Sequence, residues 1–118
     1  MDELVAYFPT VVGGAMILIG ALTCAYWYLY WNRNYRGDLL TGGPYAVVRH
    51  PLYTGFMVLT FGLAIAVPFL ETLMLAAITL VILTIYIPKE EQALLEQYGK
   101  KYREYTKRVP WKLIPKVY

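Results

Sequence analysis

The chain has 118 residues, of which 58% are hydrophobic and only 16% are charged, and its formal net charge is +3. Soluble domains are on average about half apolar and a quarter charged, so the composition argues against a soluble domain. All lysines and arginines lie at 33–49 or 89–116, beside apolar segments. Because these residues form no basic stripe on a soluble surface, no nucleic-acid partner is predicted. No metal site is predicted from the sequence either.

The first apolar segment covers residues 4–31 and is predicted to form a transmembrane helix. At about 1.5 Å per residue it exceeds the roughly 30 Å hydrocarbon core, so it is expected to tilt or to project from the membrane. Small residues on one face permit close contact with another helix, including a homodimer through this helix. These residues are Gly13, Gly14, Gly20, Ala21, Cys24 and Ala25.

The end of this segment, residues 26–31, is rich in tyrosine and tryptophan. Such a cluster is typical of the aromatic belt at a membrane interface, and this is the preferred interpretation. Tyr30 is in addition a candidate substrate contact.

Residues 32–51 form a polar connector with several glycines and prolines, which argue against a continuous helix. Interleaved apolar residues argue against disorder. A loop of this length in so small a protein is usually functional, so a cofactor-binding loop is predicted here.

Two further apolar segments, 52–70 and 72–88, are each just long enough to span a bilayer. Only Glu71 clearly separates them, which predicts a tight helical hairpin with Glu71 at the far membrane surface. The predicted fold class is therefore an all-α membrane protein with three transmembrane helices in a single domain.

The segment 89–118 is polar and amphipathic, and it is predicted to contain a helix lying on the membrane surface. Gly99 is expected to break or bend this helix, and the tail, which contains two prolines, is expected to be extended. Apolar residues recur at helical spacing along one face. They are Leu94, Leu95, Tyr98, Tyr102 and Tyr105.

The distribution of charge predicts the topology. The connector and the C-terminal region carry the lysines and arginines, whereas the N-terminus and the 70–71 turn carry only acids. The positive-inside rule then places the connector and the C-terminal region in the cytoplasm and the N-terminus outside.

Two polar clusters are predicted to meet on the cytoplasmic side. Arg49 and His50 precede the second helix, and Glu90 and Glu91 follow the third, so a hairpin would bring them within about 10 Å. Taken singly, each has a simpler role, such as contact with headgroups or with a helix dipole. Together with the glycine-rich loop and its aromatic residues, they predict a cofactor site in which carboxylates hold an ammonium group.

Two motifs resemble those of a known superfamily. The stretch GDLLTGGPYAVVRHPLYTG at 37–55 and the stretch EEQALLEQYGKKYREY at 90–105 resemble the signatures of the isoprenylcysteine carboxyl methyltransferase and phospholipid methyltransferase superfamily. The resemblance covers roughly residues 28 to 115. It implies an integral membrane methyltransferase that uses S-adenosylmethionine and acts on a membrane lipid or lipidated acceptor entering sideways from the bilayer.

The same resemblance assigns roles to individual residues. Arg49, His50 and Glu90 are the implied catalytic residues. The implied cofactor-binding residues are Gly37, Asp38, Leu39, Leu40, Gly43, Tyr45, His50, Pro51, Leu52, Tyr53, Glu90 and Glu91.

The chain departs from the superfamily pattern in three respects. Tyr86 stands where members that methylate an isoprenylcysteine carboxylate carry a substrate-binding arginine. This favours an amine headgroup, another lipid or a small acceptor over a carboxylate, although Arg49 could take the place of that arginine. Asp38 replaces a histidine of the loop motif. The chain is also short, so a lipid tunnel would be completed by a homodimer through the first helix.

Two alternatives remain open. Sterol-type membrane reductases share the RHPxYxG segment, and residues 107–115 resemble their ending, but the phosphates of NADPH need basic partners, which Glu90 and Glu91 are not. A non-catalytic small membrane subunit is the second alternative, motivated by Tyr86 and the short chain.

Overall fold

The computed structural model describes residues 2–118, and every regular element in that range is helical. The all-helical fold class is therefore confirmed for the described residues. The molecule is elongated, with extents of 55 × 26 × 24 Å. The four α-helices are α1 (Asp2–Asn34), α2 (Pro51–Ala66), α3 (Leu70–Tyr98) and α4 (Lys100–Arg108), and a short 3-10 helix covers Gly43–Ala46.

Two helices, α1 and α3, are long and apolar enough to cross a membrane. They contain 33 and 29 residues, which corresponds to roughly 50 and 44 Å. Helix α2 has 16 residues, or roughly 24 Å, and is shorter than the roughly 30 Å hydrocarbon core. The chain therefore has two clear candidate spans and one shorter apolar helix between them.

The predicted bounds of the second segment, 52–70, were wrong at the distal end. Helix α2 stops at Ala66, and Val67 has φ −131° and ψ 77°. The cause is Pro68, because a proline disfavours the helical conformation of the residue before it. After a three-residue connection, α3 begins at Leu70, two residues before the predicted start at 72.

Helices α1 and α2 pack against each other through pairs of glycines. A Cβ atom on Gly13 would lie 2.6 Å from the Gly62 carbonyl oxygen, and one on Gly20 would lie 2.6 Å from the Gly55 carbonyl oxygen. The contacts run in opposite directions along the two chains, so the helices are antiparallel. Close approach of this kind requires residues without side chains.

Part of the small-residue face of α1 therefore packs against α2 of the same chain. Gly14, by contrast, has no atom within 4 Å of a Cβ placed on it. The homodimer stays a prediction, and it rests on Gly14, Ala21 and Ala25, which are exposed.

Helix α3 does not end at Pro88, as the predicted segment 72–88 does, but continues to Tyr98. A proline in a helix interior costs about 3 kcal/mol. Here the continuation is stabilised because Leu94, Leu95 and Tyr98 pack against a buried cluster on α4. The helix ends where Gly99 adopts a positive φ of 56°, so the predicted break at Gly99 is confirmed.

The predicted amphipathic C-terminal helix is present as α4, but its apolar face is turned to the protein and not to a membrane surface. The apolar face of α4 is buried inside the protein, with Tyr102 and Tyr105 only 4% and 2% exposed. These side chains pack against Leu39 and Tyr45 of the connector, which supplies the apolar partner that a membrane surface would otherwise provide.

The C-terminal tail holds the residues that precede α2. The backbone N–H of Arg49 donates to the Trp111 carbonyl at 2.9 Å, and that of His50 donates to the Lys112 carbonyl at 3.0 Å. Leu113 is buried against Leu83 and other residues of α3. The tail was expected to be extended, but this holds for only part of it. Residues 114–118 fold into a turn that is closed by hydrogen bonds to the Ile114 carbonyl.

Candidate functional site

Two adjoining cavities lie at the polar end of the molecule, where the 35–50 loop meets α1 and α3. Their volumes are about 140 and 210 Å³. Together they reach the lower part of the range of about 300–1,000 Å³ that is typical of small-molecule sites. The residues that line both are Trp31, Tyr45, Arg49, His50 and Glu90.

Most of the residues that the sequence predicted for the site are at these cavities. The loop, the start of α2 and the polar part of α3 each contribute side chains. The predicted residues that line at least one cavity are Asp38, Leu39, Leu40, Tyr45, Arg49, His50, Pro51, Leu52, Tyr53 and Glu90.

The other predicted residues lie beside the cavities or apart from them. The Gly37 carbonyl accepts a hydrogen bond from the Tyr98 hydroxyl at 3.2 Å. Gly43 packs directly on the Tyr30 ring, with a positive φ of 55° that suits glycine. Tyr86 projects from α3 and is 58% exposed, in the apolar part of that helix. Glu91 is not among the described lining residues of either cavity and instead contacts the imidazole of His50.

The carboxylate of Glu90 is the most unusual group in the site. Its Oε2 atom is buried and makes no hydrogen bond with the described residues. A buried carboxylate oxygen without a partner is costly, because the desolvation of the charge is not offset. Since Glu90 also lines both cavities, its free oxygen suits a positively charged or hydroxyl-bearing ligand there.

The neighbouring carboxylate, Glu91, is fully engaged with the protein. Its Oε1 lies 2.9 Å from Nε2 of His50 and 3.4 Å from the guanidinium of Arg49. Successive residues on an α-helix point about 100° apart, so the two acids of the pair face different surroundings. Glu91 lines a separate, more open depression together with Arg49, Gln92 and Tyr102.

Aromatic residues of α1 form one wall of the site, which sequence reasoning assigned to a membrane belt. The Trp31 ring stacks on Trp27 and on Tyr35, with centroid distances of 5.6 and 4.1 Å. The Trp27 indole N–H donates to the Tyr45 hydroxyl at 2.6 Å, which connects this wall to the loop. This wall could have been predicted from the sequence, because residues 27, 31 and 35 are four residues apart and therefore share one face of a helix.

Sequence reasoning also missed the contribution of the α3–α4 cluster to the cavity. Tyr102 and Tyr105 line it together with Leu94, Gln97 and Tyr98. Burial raises the pKa of Tyr102 to about 12, an effect to which the Glu91 carboxylate adds. Burial likewise raises the pKa of Tyr105, so both phenols stay neutral at physiological pH.

The fold and the site together describe a helical protein with apolar spans and a mixed polar and aromatic cavity at one end. The family model described as phospholipid methyltransferase matches residues 8–101. The chain belongs to the phospholipid methyltransferase family. Its two long apolar helices, taken with this membership, make it a membrane protein.

Several relatives of different activity are similar to this chain. A protein-S-isoprenylcysteine O-methyltransferase of Schizosaccharomyces pombe is 35% identical over 80 residues, which cover 67% of this chain and 34% of the relative. A Delta(14)-sterol reductase of Mus musculus is 35% identical over 87 residues, with coverage of 69% and 20%. Methanethiol S-methyltransferase 1 of Bradyrhizobium diazoefficiens is 38% identical over 74 residues, with coverage of 58% and 25%. The alignments thus span between a fifth and about a third of these relatives.

Proposed function

We propose that this chain is an integral membrane methyltransferase that uses S-adenosylmethionine as its methyl donor. The family membership and the methyltransferases among its relatives support this activity. The observation that carries the proposal is that Glu90 lines both cavities, beside aromatic rings and Arg49, while its Oε2 atom is buried without a hydrogen-bond partner among the described residues.

The lining groups match the chemistry of the donor part by part. Glu90 would pair with the ammonium group of the methionine moiety, and the Arg49 guanidinium would attract its carboxylate. The ring of Tyr45, which lines both cavities, offers a face to which a sulfonium cation is attracted. Leu39 and Leu40 provide apolar surface for a flat base.

When bound, the donor supplies an electrophilic methyl group on a sulfonium centre. The task of this chain is to align the acceptor with that methyl group and to exclude water from the cavity. Arg49 and His50 are well placed for this, because the backbone N–H groups of both are bonded to the C-terminal tail. Their side chains are mostly buried, with 10% and 3% exposure.

The acceptor is proposed to be a lipid or lipidated molecule, either an amine headgroup or an isoprenylcysteine-type carboxylate. An amine is favoured because Tyr86, a neutral residue, stands where a carboxylate-binding arginine is expected. Its exposed position on the apolar part of α3 suits contact with a molecule arriving from the bilayer.

The proposed membrane arrangement has three crossings, with the cavities on the cytoplasmic side and the N-terminus outside. Antiparallel packing of α1 on α2 places the end of α1, the start of α2 and the polar end of α3 together. Helix α2, at roughly 24 Å, would cross with local thinning of the bilayer or with its flanks reaching the interface.

The proposal is tested by calorimetric titration of the purified protein with S-adenosylhomocysteine. Glu90→Gln removes the charge that holds the ammonium group, and His50→Ala opens the cavity, so each is expected to weaken binding at least about tenfold, equivalent to about 1.4 kcal/mol. Glu96→Gln is the matched control, because Glu96 lies on the same helix but is exposed. Unchanged affinity in Glu90→Gln would contradict the proposal.

A sterol-type reductase is the second candidate function, favoured by the similarity to the mouse sterol reductase. Titration with NADPH beside S-adenosylhomocysteine distinguishes the two. The cavities are expected to reject NADPH, because Arg49 is the one lysine or arginine among their described lining groups, whereas a nucleotide phosphate calls for several. Binding of neither compound would favour a non-catalytic membrane subunit.

A further inference from the structure

We infer that Glu91 is a positioning residue that acts on the donor site through His50, and that it does not contact the donor itself. The effect of Glu91 on donor binding rests on the proposed function. The geometric basis of the inference is independent of that function, because it concerns contacts within this chain.

The two acids of the pair have different surroundings. Glu90 lines both cavities and has an unpaired oxygen, whereas Glu91 lines neither of them among the described residues. The Oε1 atom of Glu91 is instead 2.9 Å from Nε2 of His50 and 3.4 Å from Arg49. A carboxylate engaged by two protein groups on the far side of His50 has no reason to reach into the cavity.

The contact with Glu91 determines which ring nitrogen of the histidine donates a hydrogen bond. A carboxylate can only accept a hydrogen bond, so Nε2 of His50 must be the donor. The neutral ring therefore carries its proton on Nε2 and presents Nδ1 as an acceptor. Without Glu91, either nitrogen could carry the proton and the ring could rotate.

Two further contacts and the start of α2 act with Glu91 to hold His50 in one orientation. The His50 backbone N–H donates to the Lys112 carbonyl at 3.0 Å, and Pro51 begins α2 directly after it. The imidazole also lies against the ring of Tyr53, with centroids 5.7 Å apart and planes 22° apart. Of these contacts, only the one with Glu91 selects between the two ring nitrogens.

The chain contains a single histidine, so histidine-selective ¹⁵N labelling reports on His50 alone. In labelled protein in detergent, Glu91→Ala is expected to move the Nε2 resonance by more than its linewidth. Glu96→Gln, on the exposed face of the same helix, is expected to leave the resonance in place. An unchanged Nε2 resonance in Glu91→Ala overturns the inference, whether or not the protein is a methyltransferase.

A double-mutant cycle tests the functional half of the inference. Glu91→Ala is expected to weaken S-adenosylhomocysteine binding about tenfold in the wild-type background but less than about twofold in the His50→Ala background, because coupled residues are not additive. An equal factor in both backgrounds would mean that Glu91 acts on the donor site by a route other than His50, either through Arg49 or by direct contact, and it would overturn the inference.

A second variant and the ¹⁵N measurement cover the cases in which Glu91→Ala does not fold or the wild-type protein binds no S-adenosylhomocysteine. If Glu91→Ala does not fold, Glu91→Gln retains the side-chain volume and an acceptor oxygen while removing the charge, and it too is expected to shift the Nε2 resonance. If the wild-type protein binds no S-adenosylhomocysteine, the proposed function fails, while the ¹⁵N measurement still decides whether Glu91 positions His50.

Discussion

Tyr102 and Tyr105 are neighbouring buried tyrosines that differ in hydrogen bonding. Their ring centroids are 6.1 Å apart, and both side chains belong to the same cluster. The Tyr105 hydroxyl donates to the Tyr45 carbonyl at 2.6 Å, whereas the Tyr102 hydroxyl is buried and has no partner among the described residues. The pair therefore allows one hydroxyl to be compared with another in nearly the same environment.

Tyr105→Phe is expected to lower the free energy of unfolding by about 1–3 kcal/mol, because the buried Tyr45 carbonyl loses its donor. Tyr102→Phe is the matched control, and it is expected to change stability little, since its hydroxyl has no hydrogen-bond partner in the part of the chain that the structure describes. Thermal unfolding of both variants in the same detergent measures the difference. Equal destabilisation by the two substitutions would contradict this hydrogen-bond assignment.

At the scale of the helices, the contact between α1 and α2 depends on glycine pairs. Gly20 faces the backbone of α2 so closely that a Cβ atom there would lie 2.6 Å from the Leu59 nitrogen. Backbone atoms cannot move aside as a flexible side chain can. The helices would have to separate, and α2 carries His50 at its start.

Gly20→Ala is accordingly expected to destabilise the protein by about 1–3 kcal/mol, the typical cost of overpacking. Gly14→Ala introduces the same methyl group on the same helix into space that is open within one chain, and in the monomer it is expected to be neutral or to stabilise by up to about 1 kcal/mol through helix propensity. The midpoint of thermal unfolding reports both. A similar midpoint for the two variants would show that the glycine contact is not required.

At the scale of the whole molecule, the proposed orientation places all lysines and arginines at the cavity end, on the cytoplasmic side. Glu71, at the start of α3, and Lys107, in the last turn of α4, are both exposed. The apolar part of α3 lies between them, so a crossing of α3 would place them on opposite sides of the membrane.

This orientation is tested by single cysteines, which Cys24→Ala makes possible because Cys24 is the one native cysteine. A membrane-impermeant maleimide added to intact cells is expected to label Glu71→Cys. It is expected to label Lys107→Cys only after permeabilisation. Labelling of both from one side would show that α3 does not cross, and the reverse pattern would place the cavities outside.

The amino-acid sequence alone was enough to locate the apolar segments and part of the cavity lining. Span length and charge distribution are local properties, and the two motifs carry most of the cavity lining, from Asp38 to Tyr53 and at Glu90. The bounds of α2 were less well predicted, although the signal at Pro68 was present.

Only the tertiary structure decided which acid faces the cavity and that α3 continues beyond Pro88. The phase of α3 turns Glu90 into the cavity and Glu91 toward His50, and that phase follows from packing on α4 and on the connector. The same packing carries the helix past Pro88 and buries the face of α4 that sequence reasoning gave to the membrane. Such outcomes depend on contacts between residues far apart in the chain, which local pattern and propensity do not encode.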